Sequence, residues 1–240
     1  MRTKNDAGRA ERTPRRQAMA SPTIAGAGRR ATAAAVLCAV FALCACSGLR
    51  PVADNAGGAA PRTLATPLAD GRTAEGGYID GFAYAEKPGD ATLGRIAVAG
   101  GVARATGEIE PRRGSTWGGI GLTTSVARGT HTVDVSASRA LVVALAANGT
   151  GTLRVRLVGT NTATRDAGCY PVAIVRVTPE LRDYTLPVAS FAPEAYCGAN
   201  SPGGVATASA LAAVEVADPA VTPGRRRLVD FTVGAIRVTP

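Results

Sequence analysis

Short segments rich in Val, Ile, Leu and Thr follow one another from Tyr78 to the end of the chain, separated by Gly, Asn, Asp and Pro. In several of them apolar and polar residues alternate; in 153–157, Leu or Val occupies every second position, with Arg154 and Arg156 between them. This period is typical of a strand with one buried face. The pattern predicts strands at 94–99, 117–126, 139–147, 153–159, 172–178, 182–188, 211–217 and 228–238.

This series of strands predicts an all-β fold, a two-sheet antiparallel β-sandwich or jelly roll. Between two of the strands lies NGTG at 148–151, and Asn and Gly tolerate the positive φ of a tight turn. We therefore expect 141–147 and 153–159 to pair as a hairpin. The Ala-rich interval 205–213 follows two glycines; it is interpreted as a loop that leads into a strand, with one helical turn as the alternative.

The N-terminal part has the pattern of an export signal. An apolar run, 31–45, follows Arg29-Arg30 and ends in LCACS at 43–47. About fifteen apolar residues are too few for a permanent helix across a bilayer of about 30 Å, and small residues at the end admit a peptidase. The pattern resembles a bacterial lipobox with Cys46 as the lipidated residue; an uncleaved anchor and an ordinary signal peptide are the alternatives. Met19 is an alternative start that leaves the signal intact.

The lipobox predicts a signal peptide over 1–45 and a palmitate-carrying lipoprotein held at the membrane of the bacterial cell envelope. Ser47 resembles a sorting signal for the outer membrane. Residues 46–77 are rich in Ala, Gly, Pro and Thr, and we expect them to form a flexible tether. Residues 78–240 have the length of a single domain.

The net charge of +9 belongs mostly to the signal, because eight basic and two acidic residues precede Cys46 and leave +3 for the exported part. A domain that grips phosphates carries its own clustered charge, so nucleic acid is excluded as a partner. Cys169 and Cys197 are the two cysteines that remain after Cys46. In an oxidising compartment we expect them to form a disulfide, with two separate buried thiols as the alternative.

Five motifs follow one another along the chain: YIDGF at 78–82, WGGIGL at 117–122, VDVS at 133–136, RDYTLPVASF at 182–191 and DFTVGAI at 230–236. In this order they resemble the galactose-binding-like jelly-roll domains, in the group of family 11 carbohydrate-binding modules and complex I intermediate-associated protein 30. Leu181-Arg182 departs from that pattern, which has Trp before the Leu-Pro element. The resemblance implies a jelly roll that recognises a glycan or cell-envelope polymer without catalysis.

Carbohydrate-binding modules hold sugars by stacking them on exposed aromatic rings, with polar side chains on the hydroxyls. The candidate contacts are loop residues near Tyr170, Tyr196 and Arg165. Both tyrosines adjoin a predicted bridging cysteine, so packing against the disulfide is the alternative for each. Trp117 is a further candidate, but a lone Trp on a glycine-flanked strand usually fills the interior, and the core interpretation is favoured.

Jelly rolls of this group often carry a structural calcium, and Asp80 and Asp230 are the candidate ligands. A cap or turn role is the alternative for each, and no other cofactor is expected. The single histidine, His131, lies in a turn without a nucleophile motif, and Glu108 and Glu110 are interpreted as solvated charges on an edge strand. The chain is therefore predicted not to be an enzyme.

Two functions remain open at the level of sequence. The first is a membrane-anchored lipoprotein that binds a glycan or envelope polymer, and the second is an assembly lipoprotein whose sandwich holds a protein partner. A glycan binder requires an exposed aromatic ring over a concave sheet face, whereas an assembly protein requires a flat apolar patch.

Overall fold

The computed structural model describes residues 60–149, 151–219 and 224–240. The predicted signal peptide, Cys46 and residues 46–59 of the predicted tether lie outside these ranges. Within them, every helix is too short or too polar to span a bilayer.

The described part of the chain is mostly strand. The strands are β1 Arg62–Ala65, β2 Ile79–Ala85, β3 Ala91–Ala99, β4 Val102–Ile109, β5 Gly118–Ser125, β6 Ala140–Asn148, β7 Thr152–Val158, β8 Val172–Arg176, β9 Arg182–Pro187, β10 Ala213–Asp218 and β11 Arg227–Thr239. Two short helices, α1 Thr162–Asp166 and α2 Gly204–Ala208, and two 3-10 turns, Val188–Ser190 and Ala195–Cys197, lie in the connections. Helix α2 is the helical turn considered as the alternative at 205–213, and it replaces the start of the favoured loop.

The strands form two antiparallel sheets. The six-stranded sheet has the order β3-β4-β11-β6-β9, with β1 also paired to β11, and the five-stranded sheet has the order β2-β5-β10-β7-β8. One apolar core lies between them and takes residues from both. The predicted fold class, a two-sheet antiparallel β-sandwich of jelly-roll type, is confirmed.

Alternation along each strand places the apolar residues in this core. On β7, the predicted inward residues Leu153, Val155 and Leu157 are all at most 1% exposed. In the long strand β11, the register of pairing with β6 shifts between Val233 and Ile236. Both residues remain fully buried. A bulge of this kind restores the inward face after the register slips.

The predicted hairpin between β6 and β7 is wrong, because the two strands lie in different sheets. Strand β6 pairs with β11 and β9, and β7 pairs with β10 and β8. Gly149 does adopt a positive φ of 76°, but the turn carries the chain from one sheet to the other. Alternation indicates which face of a strand is buried, but it does not indicate which strand pairs with it. A hairpin does join β3 and β4, at Gly100-Gly101.

The predicted domain boundary at residue 78 is also wrong. Strand β1 lies inside the predicted tether and pairs with β11, and its Leu64 and Ala65 are 3% and 0% exposed. Residues 66–77 continue as ordered turns that lead into β2. A strand of four residues with two inward side chains is too short to produce a periodic signal in the sequence.

Candidate binding cleft

The outward face of the five-stranded sheet forms the floor of a cleft, and two glycines shape it. On β5, Gly119 and Gly121 lie opposite Tyr84 and Phe82 of β2. A Cβ atom at Gly119 would lie 2.7 Å from the Tyr84 hydroxyl oxygen, and one at Gly121 would overlap the Phe82 ring. The two rings therefore lie flat across β5, in the space that the missing side chains leave.

Two arginines from β7 cover the other half of the floor. Arg154 and Arg156 lie opposite Ala217 and Glu215 of β10, on the outward face. The Arg154 guanidinium carbon is 5.4 Å from the centre of the Tyr84 ring, and its Nη2 donates to the Tyr84 hydroxyl. This is cation–π geometry, strengthened by burial, since Arg154 is only 8% exposed. Burial also raises the pKa of Tyr84 above 10, so the phenol is neutral at physiological pH.

Carboxylates from two other elements neutralise these arginines. Glu194 accepts hydrogen bonds from Arg154 Nη1 at 3.3 Å and from Arg156 Nη2 at 3.4 Å. Glu215 accepts from Arg156 Nη1 at 3.4 Å. The floor thus holds two cations and two anions that are paired with each other, and it presents both donors and acceptors without net charge.

Two exposed rings stand at the sides of the floor. Trp117 is 55% exposed and its ring centre lies 6.4 Å from that of Tyr84, and Tyr196 is 67% exposed with its hydroxyl 3.1 Å from the Glu194 carboxylate. Both rings line one cleft of about 790 Å³, together with Arg165 and Gly168. A space of this size suits a small ligand or a few units of a polymer.

Hydrogen bonds with Glu86 hold the side of the cleft that carries Trp117. The Glu86 carboxylate accepts from the Thr116 N–H at 3.0 Å and from the Thr116 hydroxyl at 2.9 Å. The Glu86 N–H donates to the Trp117 carbonyl at 3.1 Å. The Thr116 N–H, the Thr116 hydroxyl and the neighbouring Lys87 lower the pKa of Glu86 from 4.5 to about 2.

We expect the part of the cleft that carries Trp117 to keep its structure in acid. Because the pKa of Glu86 is lowered in the folded protein, its contribution is present above pH 4.5 and is lost as the pH falls through about 2. The emission of Trp117, the only tryptophan, should therefore hold from neutral pH to about pH 3 and change only below it. A fluorescence titration of the native protein and of Glu86→Gln checks this; a Glu86-dependent transition centred at pH 4.5 would contradict it.

The structure brings three of the predicted ligand residues into this cleft: Trp117, Tyr196 and Arg165. The core interpretation of Trp117 is wrong, since more than half of the side chain is exposed. Gly119 and Gly121 accommodate the rings of β2 on the outer face of the sheet, so the glycines near Trp117 do not indicate a ring in the core.

Tyr170 does not line the cleft. Its side chain is 3% exposed, packs with Val158 and Ala213, and donates from its hydroxyl to the Asn161 carbonyl at 2.8 Å. Tyr170 is therefore a packing residue, although the neighbours it packs against are Val158 and Ala213 where the alternative named the disulfide. The predicted disulfide between Cys169 and Cys197 is confirmed.

Sequence reasoning missed Phe82, Tyr84, Glu194 and Glu215 as parts of the site. It did place Arg154 and Arg156 on the outward face of their strand, which was the available signal. The other four line the same cleft as these arginines because of the order of the strands and the path of the loop after β9, and a local sequence pattern reveals neither.

The two candidate metal ligands lie on opposite faces of the sandwich. Asp230 faces outward from the six-stranded sheet and accepts from Arg104 Nε at 2.7 Å, from Arg104 Nη2 at 2.6 Å and from the Asn148 amide at 3.0 Å. Asp80 lies on β2 of the other sheet and accepts from the Gly81 N–H at 2.8 Å. The two do not form one site. No group of three or more metal-binding side chains occurs among the described residues.

Glu108 and Glu110, which were considered as an acid pair, each form an ion pair with an arginine. Glu108 accepts from Arg226 at 2.6 Å, and Glu110 pairs with Arg112 at 2.6 Å. Strand β4, which carries Glu108, lies between β3 and β11, so its prediction as an edge strand is wrong.

No protein-family model matches the chain, and no curated protein matches it. Solved structures similar to it include a family 11 carbohydrate-binding module of a cellulosomal cellulase of Clostridium thermocellum, with 14% identity, 75% of this chain and 94% of that chain covered, and a TM-score of 0.47.

A family 11 module from the same organism, in complex with a β-1,3-1,4-mixed-linked tetrasaccharide, matches at 13% identity over 75% of this chain and 96% of that one, with a TM-score of 0.45. A family 30 carbohydrate-binding module matches at 13% identity over 75% and 83%, with a TM-score of 0.39. These likenesses are distant, and the chain's own residues decide what its cleft can bind.

Proposed function

We propose that this chain binds a glycan or cell-envelope polymer in the cleft and does not turn it over. The observation that carries the proposal is the pair of exposed rings, Trp117 and Tyr196, in one cleft over a polar floor. Exposed large aromatic side chains that share a concave surface are typical of ligand contacts.

The chemistry of the cleft suits a sugar. An aromatic ring excludes water from the apolar face of a pyranose, while sugar hydroxyls exchange their bonds to water for bonds to protein. Arg154 and Arg156 supply donors, and Glu194 and Glu215 supply acceptors, at the base of the same cleft. Because these charges already neutralise each other, we expect a neutral, hydroxyl-rich ligand to be preferred over a charged one.

A protein partner fits this face less well. An assembly surface is expected to be flat with an apolar centre, whereas this floor is concave and carries two guanidinium groups and two carboxylates. The glycan hypothesis is therefore the one that the side chains support.

A glycan array probed with the purified protein tests the proposal. We expect selective retention of one neutral polysaccharide or peptidoglycan fraction, with no release of shorter products on prolonged incubation. Absence of binding across the array, with co-purification of a stoichiometric protein partner, would replace the glycan hypothesis by the assembly hypothesis.

We also propose that the protein is displayed on the bacterial cell envelope, in the outer membrane, through a lipid on Cys46. The lipobox at 43–47 supports this. Cys46→Ser should leave an unlipidated precursor, since only a thiol takes up the diacylglyceryl group. Detergent-phase partitioning and mass spectrometry of the N-terminus check it; normal maturation of Cys46→Ser would contradict the anchor, and Cys44→Ser is the matched control that should mature normally.

A further inference from the structure

The two rings of the cleft are held in different ways. Trp117 directly precedes β5, and its carbonyl is bonded to Glu86 of the neighbouring chain segment. Tyr196 lies in the 3-10 turn Ala195–Cys197, within the connection between β9 and α2. We call residues 193–202 of this connection the rim segment. In the described structure its backbone hydrogen bonds are local, from the Cys197 N–H to Glu194 and from the Ser201 N–H to Gly198.

Side chains therefore attach the rim segment to the body of the domain. The Tyr196 hydroxyl lies 3.2 Å from the Gly168 carbonyl and 3.1 Å from Glu194, which in turn holds Arg154 and Arg156 at 3.3 and 3.4 Å. These are long bonds for charged partners, whose usual separation is about 2.7–2.9 Å. The contacts of the Tyr196 hydroxyl are also accessible to water, since Tyr196 is 67% exposed, and water competes for them.

The covalent attachment is the disulfide between Cys197 and Cys169. Cys169 lies at a firmly packed point: its N–H donates to the Thr164 carbonyl at 2.9 Å, and the next residue, Tyr170, is buried with its hydroxyl bonded to Asn161. The disulfide thus joins the residue after Tyr196 to the residue after Gly168, whose carbonyl receives the Tyr196 hydroxyl.

We infer that the Cys169–Cys197 disulfide positions the Tyr196 ring over the cleft and holds it on one side of the site. Without the bridge, the weak polar contacts of the rim segment compete with water and with the conformational freedom of ten residues. Tyr196 then loses its preorganised position, whereas Trp117 keeps its own. Preorganisation of a contact residue strengthens binding by reducing what must be ordered on association. The inference rests on the proposed glycan function.

A double-mutant cycle tests the inference. The native protein, Tyr196→Ala, Cys169→Ala/Cys197→Ala and the triple variant are titrated calorimetrically with cellohexaose, laminarihexaose and chitohexaose, well below their melting temperatures. We expect the cysteine variant to weaken binding by the same factor as Tyr196→Ala, roughly tenfold, and the triple variant to show no further loss. Trp117→Ala added to the cysteine variant should still weaken binding.

Full-strength binding by the cysteine variant would overturn the inference, as would an undiminished effect of Tyr196→Ala within it. Leu64→Ala is the matched control for lost stability, because Leu64 is buried in the core of the sandwich and outside the lining of the cleft. It should melt earlier and bind normally.

Hydrogen exchange separates this inference from the proposed function. In the cysteine variant, amides of 194–198 should exchange at least tenfold faster while those of β7 and β10 are unchanged. If none of the three oligosaccharides binds, the glycan proposal fails for these probes, and the exchange result still decides the positioning role. Unchanged exchange at 194–198 would overturn that role even if a glycan binds.

Discussion

Replacing Trp117 by alanine is expected to weaken glycan binding roughly thirtyfold or more, because truncation of an aromatic residue that carries much of the binding energy typically costs about 2 kcal/mol. The free energy of unfolding should change by less than about 1 kcal/mol, since the side chain is 55% exposed. A buried tryptophan would instead cost about 3–5 kcal/mol on truncation. Isothermal titration calorimetry and urea unfolding, measured on the same preparation, separate the two effects.

Tyr78→Ala is the matched control for this prediction. Tyr78 is 50% exposed, so it loses an aromatic ring of similar accessibility, and it is not part of the lining of the cleft. It should bind as the native protein does. Equal losses in Tyr78→Ala and Trp117→Ala would contradict a specific role for the cleft ring.

The largest effect on stability is expected at Asp218. Its carboxylate is fully buried at the end of β10 and accepts from both terminal nitrogens of Arg227, at the start of β11, with Nη2 at 2.7 Å. The pair links the two sheets on either side of residues 220–223. Asp218→Ala removes the anion that accepts both terminal nitrogens of a largely buried guanidinium, which should lower the free energy of unfolding by about 3–5 kcal/mol.

Asp183→Ala provides the comparison, because Asp183 pairs with Arg237 on the surface and its side chain is 50% exposed. An exposed pair contributes about 0–1 kcal/mol, so this variant should unfold close to the native midpoint. Urea unfolding of both variants checks the difference. Equal midpoints for Asp183→Ala and Asp218→Ala would show that burial of the Asp218–Arg227 pair does not increase its contribution to the free energy of unfolding.

The inward faces of the strands were predictable because they depend on local alternation. Strand β7 shows this, with its apolar residues in the core and its arginines on the cleft. Strand pairing was not predictable, because it depends on segments far apart in the sequence. The turn at 148–151 has the composition of a hairpin and yet connects β6 and β7 in different sheets.

The candidate site likewise has residues that could be predicted from the local sequence and residues that could not. Tyr196 and Arg165 were expected in loops near the cysteines, and both line the cleft. Trp117 was misjudged because glycines beside a tryptophan indicate close packing without telling which side is filled. Here Gly119 and Gly121 admit Tyr84 and Phe82 onto the outer face. The contact of Tyr84 with Arg154 joins residues 70 positions apart, and local pattern does not predict such a pair.

The central claim is that Trp117 contacts a glycan, and the protein carries a direct reporter for it, because Trp117 is its only tryptophan. Its fluorescence is followed while the glycan retained on the array is titrated into the native protein and into Tyr196→Ala. The account predicts a saturable change in emission in the native protein and the same change at a higher glycan concentration in Tyr196→Ala. Saturable binding by calorimetry with no change in Trp117 emission would contradict it.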